Sequence, residues 1–136
     1  MLAETVPPVV MPDRMPTLRV VPMPSDANQS GDIFGGWIMS QVDIAGGIAA
    51  SRRACGRVVT VSVDSFVFKQ PVFVGDVLSF FTEILRVGRT SIRIDVSVFA
   101  ERNPVSPCIV KVTEAVLTYV AVNQQGEKRE VPSPEK

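Results

Sequence analysis

The 136-residue chain contains no histidine. That absence removes every Ser-His or Cys-His nucleophile pair and every imidazole acid or base. A metal site would have to be built from carboxylates or thiolates alone, and no such cluster is visible. The expectation is therefore a protein with no metal and no cofactor, whose chemistry runs on carboxylates, amides, hydroxyls and backbone dipoles. Cysteine is scarce. Only Cys55 and Cys108 occur, outside any CxxC spacing, and they read as small apolar packing residues in a reducing compartment. An excess of either charge is also missing, because 14 basic and 14 acidic residues cancel. Without a basic stripe interleaved with aromatics, nucleic acid is not an expected partner. The first residues lack the basic and apolar regions of a signal peptide, so a cytoplasmic location is expected.

What is present is one dense apolar stretch, residues 30–53, around which the remaining chain is organised. From Ile33 to Ala50 the sole charge is Asp43. The residues between are apolar or small on nearly every side, which predicts a helix buried by the rest of its own chain. Ser40, Gln41, Asp43 and four glycines dilute the run too far for a membrane span, so no membrane is expected. Asp32 or Ser30 is a plausible N-cap, and Gly56 a plausible C-cap, with Arg52 and Arg53 in the last turn. Those four glycines disfavour helix by up to about 1 kcal/mol each relative to alanine, which suggests close approach by a backbone or a ligand. Asp43 itself has two readings. An ionised carboxylate among apolar residues is costly unless paired or wetted by a cleft, so it is either a reactive group or one satisfied by neighbouring hydroxyls and amides.

Around that helix the chain reads as strands. Residues 1–16 are proline-rich and expected to be a flexible N-terminal segment. A short strand falls within 17–23, followed by a polar loop over 24–31. Residues 58–68 alternate and then change phase near Ser65, which predicts a bulge. Residues 77–87 form the next strand, Gly88-Arg89 a tight turn, and 90–100 alternate cleanly. A last strand is expected over 110–122. The pattern gives a single domain over 17–123 and a polar C-terminal tail over 124–136. A strand, a helix and four strands on short connections imply an α+β fold: an antiparallel sheet of about five or six strands wrapped around one long central helix. The edges of such a sheet invite a second copy, so a homo-oligomer is expected.

Four segments carry a further pattern: S-D-A-N-Q-S-G-D-I-F-G-G-W-I-M-S-Q-V-D over 25–43, G-R-V-V-T-V-S-V-D over 56–64, P-V-F-V-G-D over 71–76 and V-G-R-T-S-I over 87–92. Together they resemble the hot-dog-fold acyl-CoA thioesterases, and in particular the YciA-like acyl-CoA thioester hydrolases. Ala27 departs from the family, which often has threonine there. The resemblance implies hydrolysis of fatty acyl-CoA to free acid and coenzyme A. It implies a catalytic pair, Asn28 and Asp43, drawn from opposite subunits of a dimer, with dimers assembling further as a trimer of dimers. Asp43 would be general base or nucleophile, and Asn28 would orient water or carbonyl. Without the resemblance, the favoured reading of Asn28 is a turn-forming residue in a polar loop. Backbone N–H groups around Gly35 and Gly36 would polarise the carbonyl. Arg89, with Thr90 and Ser91, would meet the coenzyme A phosphates, and Thr60 would line the cleft beside Asp43. Hot-dog dehydratases use a histidine that this chain lacks. The remaining alternative is a non-catalytic acyl-CoA binding or sensing module.

Overall fold

A computed structural model describes residues 9–134. Strand β1 (Leu18–Val20) and a single 3-10 turn (Pro24–Asp26) lead into the helix α1 (Gly35–Ala54). Four strands follow: β2 (Val58–Phe68), β3 (Val77–Val87), β4 (Ser91–Arg102) and β5 (Cys108–Ala121). They form one sheet in the order β1-β3-β4-β5-β2, and every neighbouring pair is antiparallel.

The strands form where alternation is strongest. On β4, Ile92, Ile94, Val96 and Val98 point inward and are fully buried, while Arg93 faces solvent. Helix α1 answers with Ile38, Val42, Ala45, Gly46, Ala50 and Ala54, spaced three and four residues apart along one face. Each larger side chain buried this way contributes about 1.5–3 kcal/mol. The small residues at 45, 46 and 50 let the helix axis lie close to the sheet. The change of phase in β2 appears as two register shifts against β5, between Thr60 and Ser62 and between Val63 and Ser65. At the β3–β4 turn, Gly88 N–H donates to the Ser91 carbonyl at 2.8 Å.

Several expectations need correction. The helix begins at Gly35 with Phe34 as its N-cap, and no side chain caps it. Neither Asp32 nor Ser30 reaches that position, because Phe34 N–H is held by the Asp26 carbonyl at 2.9 Å and the loop backbone sets the entry. At the other end Cys55, not Gly56, adopts the left-handed cap conformation with φ 55°. Both cysteines are exposed rather than packed inside, since Cys55 lies at the helix terminus and Cys108 at the start of a strand. The helix is also not buried all round. The sheet covers one side, and Met39 and Ile44 on the other remain 41% and 48% exposed.

The expectation for residues 1–16 falls in part on residues 1–8, which lie outside the described residues. Within the described part, Arg14 stacks over the Phe81 ring at 5.3 Å. After β5 the chain turns and comes back. Val122 bridges Lys128, Val131 packs against the core, and Arg53 Nη1 donates to the Pro132 carbonyl at 2.6 Å. Among the described residues no helix is long and apolar enough to cross a membrane.

Candidate active site

Asp43 sits in the middle of α1, above the end of the sheet where β2, β5 and β4 bring Thr60, Tyr119 and Ile92 into one row. Thr60 Oγ1 donates to Asp43 Oδ1 at 2.6 Å. The Tyr119 hydroxyl lies 3.0 Å from the same Oδ1 and 3.0 Å from the Asp43 backbone carbonyl, sharing its proton between them. Two donors therefore converge on one carboxylate oxygen. Among the described residues Oδ2 accepts no hydrogen bond. Tyr119 is 1% exposed, and its burial, reinforced by the negative charge of Asp43, raises the phenol pKa well above its ordinary value. The phenol is thus a fixed donor.

This pairing also corrects the reading of the helix glycines. At Gly46 the close approach is made by neither a backbone nor a ligand but by Tyr119, whose oxygen and ring occupy the space a Cβ would need. At Gly47 a Cβ would meet the same ring at 3.8 Å. Sequence reasoning missed Tyr119. The signal present was that it is the chain's single tyrosine, at an inward position of an alternating strand.

Asn28 lies on the loop before the helix. Its side-chain oxygen accepts the Ser30 N–H at 2.9 Å and the Asp32 N–H at 3.1 Å, so it organises the loop. Its amide N–H groups donate to nothing among the described residues. Asn28 and Gly35 line a cleft of about 380 Å³ with Ile38, Phe68, Gln70 and Val72. At Gly35 a Cβ would meet the Phe68 ring at 3.2 Å, whereas Gly36 faces open space. The Trp37 and Ile38 N–H groups donate to the Phe34 carbonyl, at 3.1 and 3.3 Å, while those of Gly35 and Gly36 have no partner among the described residues. Asp43 does not line that cleft. It lies eight residues beyond Gly35, about 12 Å along the axis at 1.5 Å per residue. One chain therefore brings Asp43 to Thr60 and Asn28 to Gly35, but not Asn28 to Asp43.

Arg89 and Thr90 lie in the β3–β4 turn, and Ser91 opens β4. Ser91 pairs with Val120, one residue beyond Tyr119, so the turn shares the Asp43 end of the sheet. The Thr90 carbonyl accepts the Ala121 N–H at 2.9 Å. Arg89 lies 3.6 Å from Glu130, with both side chains largely exposed. Among the described residues no group of three or more acidic or thiol side chains could hold a metal.

A single long helix lying on a five-stranded antiparallel sheet is the architecture of the hotdog-fold proteins. Residues 30–106 match the family model described as the Thioesterase superfamily, and the chain belongs to that family. Among its relatives, the acyl-CoA thioester hydrolase YciA of Escherichia coli strain K12 is 45% identical over 117 residues, covering 85% of this chain and 89% of the relative. A hexameric hotdog fold thioesterase of Campylobacter jejuni superposes with a TM-score of 0.84 at 46% identity, covering 88% of this chain and 91% of that one. The structure of HI0827, described as a hexameric broad specificity acyl-coenzyme A thioesterase, superposes with a TM-score of 0.82 at 46% identity over 91% of this chain and 85% of its own.

Proposed function

We propose that this chain is an acyl-CoA thioesterase that hydrolyses acyl-CoA to a free acid and coenzyme A. The observation that carries the reading is the 45% identity to an acyl-CoA thioester hydrolase over 85% of the chain. In this reading Asp43 is the reactive carboxylate, as general base toward water or as nucleophile. Its support is chemical: the chain has no histidine, and Asp43 is the sole charge between Ile33 and Ala50. Thr60 holds one oxygen of that carboxylate. Gly35 and Gly36 offer N–H groups to the oxyanion that develops on the carbonyl, where a positioned donor is worth about 10²–10³-fold in rate. The free amide of Asn28 orients water or carbonyl. Arg89, Thr90 and Ser91 meet the coenzyme A phosphates.

The same reading makes the active unit a homodimer, with Asn28 from one subunit and Asp43 from the other. Two features support this. Within one chain the two residues are separated along the helix, and β2 is a free sheet edge with Val61, Val63 and Val67 exposed. The bare helix side at Met39 and Ile44 needs a cover as well. Dimers then assemble as a trimer of dimers, in keeping with relatives described as hexameric. The catalytic domain spans 17–123 and works in the cytoplasm, where the exposed cysteines stay reduced.

A free-thiol release assay across short, medium and long acyl-CoAs tests this directly. Release is expected, and it should persist in excess chelator. Binding of acyl-CoA with no thiol release from any substrate overturns the reading in favour of a binding module.

A further inference from the structure

We propose that Tyr119 is a positioning residue for Asp43: its hydroxyl pins Oδ1 together with Thr60, so that Oδ2 is held as the reactive oxygen. The proposal rests on the thioesterase reading above and adds to it a residue on β5, 76 positions from its partner. A carboxylate attached to a helix by one methylene is free to turn about its terminal torsion, which has only broad, soft minima. One donor fixes its distance but leaves that rotation. Thr60 at 2.6 Å and Tyr119 at 3.0 Å approach Oδ1 from two different strands, which fixes the plane of the group. The second contact of the phenol, 3.0 Å to the Asp43 backbone carbonyl, ties the side chain to its own main chain. Reaction geometry must be held to within about 0.5 Å and 10–20°, so a loosened carboxylate loses rate rather than affinity.

The surroundings are built for this contact. A buried tyrosine hydroxyl needs a partner, and Tyr119 finds both of its acceptors on Asp43. Gly46, one turn along α1, leaves the space that the phenol oxygen fills. Burial first and the Asp43 charge second hold the proton on the phenol beyond the ordinary tyrosine range.

The test is a double-mutant cycle on the full-length protein with an acyl-CoA substrate. Tyr119→Phe should lower kcat about tenfold and leave KM within about twofold. Asp43→Asn should lower kcat about a hundredfold. The double variant should be no slower than Asp43→Asn alone, because a residue acting only through Asp43 has nothing left to position. Wild-type kcat in Tyr119→Phe, or losses that multiply in the double variant, overturn the proposal. A wild-type enzyme that releases no thiol would overturn the function reading instead. The contact is then decided by urea midpoints. Tyr119→Phe should shift the midpoint less in an Asp43→Ala background than in wild type, and equal shifts in both backgrounds overturn the proposal.

Discussion

Gly46 packs directly beneath the hydroxyl of Tyr119, in a space too small for a methyl group. Alanine at this position would normally favour a helix by up to about 1 kcal/mol. Here it must push the phenol off Asp43, and overpacking of this kind costs about 1–3 kcal/mol. Gly46→Ala should therefore lower the urea midpoint despite its better helix propensity. A variant as stable as wild type would contradict the packing described.

Asp43→Asn keeps a side-chain oxygen for Thr60 and Tyr119 to donate to, so the fold should survive with its thermal midpoint nearly unchanged. What it removes is the charge proposed to react. The expected result is a fall in kcat of about 10²-fold or more, as for a positioned acid-base group. Near wild-type turnover would make Asp43 a structural residue.

Arg89 pairs with Glu130 with both side chains largely exposed, and exposed pairs contribute little to stability. Arg89→Ala should leave the melting temperature alone. If the guanidinium meets phosphate, KM for acyl-CoA rises while kcat stays close to wild type. An equal fall in kcat would move Arg89 into the chemistry.

Tyr119 also sets an alkaline limit. Its folded-state pKa is raised above the ordinary 10.0 by burial first and by Asp43 second. As pH rises past 10, the unfolded chain releases the phenol proton while the folded chain retains it. The unfolded state then binds fewer protons, and stability falls with pH by at most about 1.4 kcal/mol per pH unit. Below the unfolded value the contribution is fully present. Urea titrations across alkaline pH should show wild type losing stability faster than Tyr119→Phe. Parallel loss in the two proteins would contradict the assignment.

Much of this fold was legible in the sequence, for identifiable reasons. Residues 58–68 and 77–87 were readable as strands because alternation and turn residues are local signals, and both coincide with β2 and β3. The helix start was misplaced because its entry is set by a backbone bond from Phe34 to Asp26, which no side-chain preference encodes. In the site, Asp43 stood out as the lone charge in an apolar run. Asn28 carried no such mark, since an asparagine in a polar loop is what any turn would use. Tyr119 was hidden because a tyrosine at an inward position of a strand looks like core. Its role depends on contact with a helix far away in sequence, and on the glycine opposite.

Mixing two inactive chains is the most direct test of a site shared between two subunits. Asn28→Ala and Asp43→Ala proteins are each expected to be inactive. Refolded together at equal amounts, random pairing gives about half mixed dimers, and a two-fold interface gives each of these one intact site. About a quarter of wild-type thiol release should therefore return. If mass spectrometry confirms mixed dimers and the mixture remains inactive, Asn28 and Asp43 do not meet across the interface.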